Sequence, residues 1–147
     1  MTGLAVMVAV VAGCGPSEQA VAGDRESLRQ GIATDVQVAS ALRPVDDLAL
    51  KGKPDEAAAK LEADARPASR RSVEQVRALR AEATPWGQEH RRTLERLVSD
   101  RAASLDRYAK ALRSNDLTAV VAALEEQQAL ERRASALLTA VQAPPSR

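Results

Sequence analysis

The stretch TPWGQEHRRTLERLVSDRAASLDRYAKALRSND, residues 84–116, decides the fold. Thr84-Pro85 is a helix start. A Thr side chain can accept from the free N–H groups of the first turn, and Pro suits the first helical position. Beyond it, Trp86, Leu94, Leu97, Val98, Leu105, Tyr108 and Leu112 form one apolar stripe at helical spacing. Trp86 and Tyr108 are 22 residues apart. At 100° per residue they fall about 40° apart around the axis, so both are expected in the core. Ser114-Asn115-Asp116 ends this helix and supplies a cap for the next. So short a connection turns the following helix antiparallel.

Toward the C-terminus, Leu117, Val120, Val121, Leu124, Leu130, Ala134, Leu137, Leu138 and Val141 predict a helix from Leu117 to about Gln142. Ala143-Pro144-Pro145 stops it, and residues 144–147 are expected as a disordered tail. Toward the N-terminus, a helix is predicted from Pro54 to about Ala83, supported by the Glu56–Lys60 and Glu62–Arg66 pairs and kinked or broken at Pro67. Another is predicted from about Asp24 to Pro44, on Leu28, Ile32, Val36, Ala39 and Leu42. Gly31 weakens it by about 1 kcal/mol relative to Ala. Residues 44–53 are expected as a loop. The fold class that results is all-α: an antiparallel up-down bundle of about four helices with a dry Leu/Ala/Val core.

Composition agrees. The chain has 147 residues, 45% hydrophobic, with aromatics at 1%. That length fits one domain. Two rings make a poor platform for stacking bases or sugars. The formal net charge is +1, so no overall bias toward nucleic acid exists, and no nucleic-acid partner is expected. Charge is unevenly spread, however. Residues 66–113 carry twelve Lys and Arg against six Asp and Glu, or +6, while residues 18–65 carry −4 and residues 114–147 carry −1. Neutralisation within the bundle is the plainer reading of the arginines (Arg66, Arg70, Arg71, Arg77, Arg80, Arg91, Arg92, Arg96, Arg101, Arg107 and Arg113). An anion-facing surface is the functional one.

Catalytic patterns are missing from the sequence. His90 is the single histidine, and no Glu-x-x-His pattern accompanies it, because position 87 is Gly. Asp46-Asp47 and Glu125-Glu126 are adjacent pairs whose side chains diverge by about 100° on a helix. No phosphate-binding, dinucleotide or nucleophile-elbow motif is present. The expectation is therefore a protein that is not an enzyme, with no catalytic or metal-ligating residue. A ligand pocket between helices near Trp86, His90 and Tyr108, serving a sensor module, is the alternative.

The one cysteine gives an address. Leu4–Ala12, LAVMVAVVA, is an apolar run of nine residues, too short to span a bilayer but the length of a signal-peptide core. Val11-Ala12-Gly13-Cys14 follows from it and resembles the lipobox of bacterial lipoproteins. The resemblance covers the first 15 or so residues. It implies cleavage between Gly13 and Cys14, lipid such as palmitate on Cys14, and a membrane-anchored place in the bacterial cell envelope with an envelope protein as partner. No other cofactor is expected. Met1-Thr2-Gly3 lacks the Lys or Arg usual ahead of such a run, so the reading expects the native start to lie upstream. The organisation predicted is a signal peptide at 1–13, the lipidated Cys14 with a flexible tether at 14–23, a helical bundle at 24–143 and a tail at 144–147.

Overall fold

The computed structural model describes residues 17–143 and Pro145. Every regular element in this range is helical: α1 (Glu18–Leu50), α2 (Pro54–Lys60), a π-helical turn (Leu61–Ala65), α3 (Arg66–Arg77), α4 (Pro85–Arg113) and α5 (Leu117–Gln142). The α2–π–α3 segment is one interrupted rod, so four rods pack as an antiparallel bundle. The lipobox, Cys14 and most of the tail lie outside the described residues.

The caps at Thr84 and Asp116 stand where the sequence puts them. The Thr84 hydroxyl accepts from the Gly87 N–H at 2.9 Å, and the Asp116 carboxylate accepts from the Ala119 N–H at 3.0 Å. Asn115 between them takes a left-handed φ of 51°, a conformation Asn tolerates better than most residues.

α1 corrects two expectations. It starts at Glu18, not near Asp24, because Ser17 caps it by accepting from the Ala20 N–H at 3.1 Å. Residues 18–23 of the expected tether are therefore helix. Nor does Pro44 end it: the helix runs on to Leu50. Pro44 and Ser40, whose carbonyl would have met a Pro44 N–H, lie on the exposed face, while Val45 is fully buried. Burial of the residues beside the proline outweighs one lost solvent-side bond. The expected loop 44–53 shrinks to Lys51–Lys53.

The second rod breaks beside Pro67. The π turn just before it widens the backbone, with the Arg66 N–H donating to the Leu61 carbonyl, so that the proline enters the second position of α3. α3 stops at Arg77, short of the expected Ala83.

The core is not a dry Leu/Ala/Val filling. Two apolar clusters sit at either end. Leu28, Ile32, Val76, Leu94, Leu97, Leu130 and Leu137 belong to the one near Ser17, and Val38, Leu42, Leu61, Leu105, Tyr108 and Leu112 to the other. Leu94, Leu105 and Tyr108 are buried, while Trp86, Leu124 and Leu138 are partly buried against these clusters. Val36, Leu117 and Val121, expected on buried stripes, are exposed at 51%, 74% and 46%.

Candidate functional site

Between the two clusters lies a polar layer to which every rod contributes. Asp35 of α1 stands between Ile32 and Val38, and Ser69 and Ser72 of α3 between Ala65 and Val76. Arg101 and Ser104 of α4 stand between Val98 and Leu105, and Gln127 of α5 between Ala123 and Leu130; all six are buried. Arg101 donates through Nε and Nη2 to the two Asp35 carboxylate oxygens, at 2.6 and 2.8 Å. Its Nη1 donates to Gln127 Oε1 at 3.1 Å. Gln127 Nε2 donates to Ser104 Oγ, and Ser104 Oγ donates to the Arg101 carbonyl. On α1 and α3 the hydroxyls of Thr34 and Ser72 bond each other at 2.8 Å. Isolated charges here would cost several kcal/mol; the fork-on-carboxylate geometry and the Gln127 contact offset that.

The charged and amide groups of the layer are engaged with one another. Ser104 faces an amide and a carbonyl rather than a base, and the Asp35 carboxylate is occupied by Arg101. A cleft of about 180 Å³ between α1 and α5 reaches this pair, past Ile32, Val36, Ala39 and Leu138. A larger one, about 410 Å³, lies between the end of α4 and the start of α5, beside Arg107, Lys110 and Asp116. Among the described residues no group of three or more His, Cys, Asp and Glu could hold a metal ion.

A second buried carboxylate organises the end that carries Ser17. Asp24 accepts from the Ala83 N–H at 3.1 Å, the Thr84 N–H at 2.8 Å and the Thr84 hydroxyl at 2.7 Å. These bonds tie the loop after α3 to α1 and explain why α3 ends early: its continuation would withdraw those N–H groups from Asp24. Gly87 follows from the same contact, since a Cβ there would stand 2.1 Å from an Asp24 carboxylate oxygen. Beside it, Arg25 donates to the carbonyls of Val141 and Ala143, capping the end of α5, and lies 5.7 Å from the Trp86 ring centroid.

The residues of the predicted pocket are not brought together. Trp86 and His90 do meet, with ring centroids 4.7 Å apart, and His90 Nδ1 lies 2.8 Å from the Trp86 carbonyl. Tyr108 stands about 33 Å further along the same helix. It is buried in the other apolar cluster, where its hydroxyl donates to Asp46 at 2.9 Å. A shared stripe does not make a shared pocket. Burial holds the Asp46 carboxyl above its ordinary range, opposed by the Tyr108 hydroxyl and reinforced by Glu131 and Asp47. Burial, with the Asp46 charge, pushes the Tyr108 phenol up as well.

The arginines divide. Arg101 lies in the core and belongs to no surface. Arg66 pairs with Glu62 and Asp106, Arg91 with Glu82 and Glu95, Arg107 with Glu126, and Arg113 with Glu62. Arg70, Arg71, Arg77, Arg80, Arg92 and Arg96 are exposed and make no ion pair among the described residues. Asp24, Asp35 and Gln127 were not singled out by the sequence reading. Each interrupts an apolar periodicity at a core-facing position, and that was the available signal.

No helix of the described residues is long and apolar enough to cross a membrane. No family profile, curated protein or solved structure matches the chain.

Proposed function

We propose that this is a small lipid-anchored protein of the bacterial cell envelope, held through Cys14, whose helical body acts as a non-catalytic scaffold or accessory subunit. The observation that carries the reading is the order Val11-Ala12-Gly13-Cys14 and then, three residues on, the Ser17 cap of a packed bundle. So short a leader, spanning at most about 10 Å, would keep the body against the lipid headgroups. The mutual hydrogen bonding of Asp35, Arg101 and Gln127 supports a structural rather than chemical role for the layer's charged groups. Two or more acyl chains give stable anchoring where one gives marginal binding.

Fractionation in the native host tests it. The wild-type chain should stay in the membrane fraction through a wash at about 1 M salt, which screens charge contacts to about 3 Å, and leave only with detergent. Cys14→Ser should wash free. A wild-type chain released by salt alone would overturn the anchor.

A further inference from the structure

We infer that α3, the loop after it and the first half of α4 form a cationic face that rests on the anionic phospholipid headgroups of the bilayer. The inference deepens the lipid-anchor reading and rests on it for the bilayer's presence. Three observations converge. The first is the division of the arginines: of the nine that are exposed and make no ion pair among the described residues, six fall between Arg70 and Arg96, the others being Arg29, Arg43 and Arg132. Glu82 and Glu95 are taken up by Arg91. Glu74 and Glu89 are the other acids among them, and seven arginines against four glutamates leave the face a net charge of +3.

The second is position. The three bonds from Ala83 and Thr84 to Asp24 hold the loop beside the second turn of α1, close to Ser17 and so to Cys14. Arg80 lies in this loop. Arg70 and Arg71 sit about 10 Å up α3 from Arg77, and Arg92 and Arg96 about 10 and 17 Å up α4 from Pro85. Arg70 and Arg77 line clefts between α3 and α4. Ser99 lines the cleft with Arg77, and Arg92, seven residues before it, lies on the same side of α4; Arg96 falls between that side and the α5 side, where Asp100 and Ala103 line another cleft. Arg70, Arg77 and Arg92 therefore lie on the α3–α4 side of the bundle, with Arg71, Arg80 and Arg96 exposed on the same segments, all level with the polar layer or on its Ser17 side.

The third is polarity. Residues 43–65, which turn at the far end and descend from it, carry four Lys and Arg against six Asp and Glu. A bilayer with anionic lipids attracts the near half and repels the far one. With a three-residue leash, the bundle lies tilted with its α3–α4 side down. Guanidinium forks suit phosphate oxygens bidentately.

The test uses the full chain carrying Cys14→Ser, so that no acyl chain contributes, and vesicles of phosphatidylcholine with or without about one-third phosphatidylglycerol. Co-sedimentation is expected with the anionic vesicles alone, weakening about tenfold or more between about 50 and 200 mM salt. Each arginine reaching the surface is worth about a fivefold change in affinity. Arg70→Ser/Arg71→Ser/Arg77→Ser/Arg80→Ser should thus lose at least about thirtyfold, with an unchanged circular dichroism spectrum. Lys51→Ser/Lys53→Ser at the far end should lose little. Equal binding to both vesicles, salt-independent binding, or full binding by the quadruple variant would overturn the inference. So would displacement by millimolar free phosphate at constant ionic strength, which would mark a soluble-anion site. A bare Cys14 with vesicle binding intact would defeat the anchor alone. An acylated Cys14 with no vesicle binding by the Ser variant would defeat this inference alone.

Discussion

Asp35 and Arg101, 66 residues apart in sequence, meet in the middle of the bundle with both side chains about 1% exposed. Both oxygens of the carboxylate accept from the same guanidinium. A slip of α1 by one turn would set the carboxylate among apolar side chains without a partner. The pair thus favours one register of α1 on α4 over its neighbours.

Removing one member should be far worse than removing both. Arg101→Met leaves a buried carboxylate unpaired and should cost about 3–5 kcal/mol in urea unfolding. Asp35→Leu combined with Arg101→Met should cost less than the sum of the single variants, giving a coupling of at least about 1 kcal/mol in the cycle. A single-variant cost below about 1 kcal/mol would contradict the account of the layer.

Gly87→Ala should destabilise although it lies inside a helix. Propensity alone favours Ala there by about 1 kcal/mol. The new Cβ would instead run into the Asp24 carboxylate, which three hydrogen bonds from Ala83 and Thr84 hold in place. A net loss of about 1–3 kcal/mol is expected. Asp24→Ala, which strands two backbone N–H groups, should lose about 2–4 kcal/mol by itself. A gain in thermal stability by Gly87→Ala would show that Asp24 is free to move.

Asp46 gives a pH dependence of definite sign. Its carboxyl titrates above its ordinary 3.8 because burial disfavours the charge. A group raised in the folded state contributes stability below its unfolded value and loses it as pH rises through the folded one. Asp46→Asn keeps an oxygen for the Tyr108 hydroxyl but carries no charge. The urea midpoint of the variant should therefore gain on the wild type from about pH 4 upward. A gap that stays level or closes over that range would contradict it.

How far the sequence could be read follows from which forces are local. Thr84-Pro85, Ser114-Asn115-Asp116 and the break beside Pro67 are local signals, and the bundle shows all three. Pro44 misled because its effect was decided by the burial of its neighbour Val45, about 100° around the helix. Ser17 and residues 18–23 looked like a tether because their helix is secured by contacts distant in sequence, such as Arg25 on the Val141 carbonyl. The polar layer escaped for the same reason. Arg101 counts as one more charge in a basic stretch until Asp35 and Gln127 are seen around it. Trp86 and Tyr108 share a stripe, and angle alone hid the 33 Å of axis between them.

The direct measurement of the central claim is mass spectrometry of the N-terminal peptide of the protein, extracted from its native host with detergent. The account predicts a mature chain that begins at Cys14, with the cysteine carrying two or more acyl chains. A peptide that runs through Gly13 into an unmodified Cys14 would contradict it.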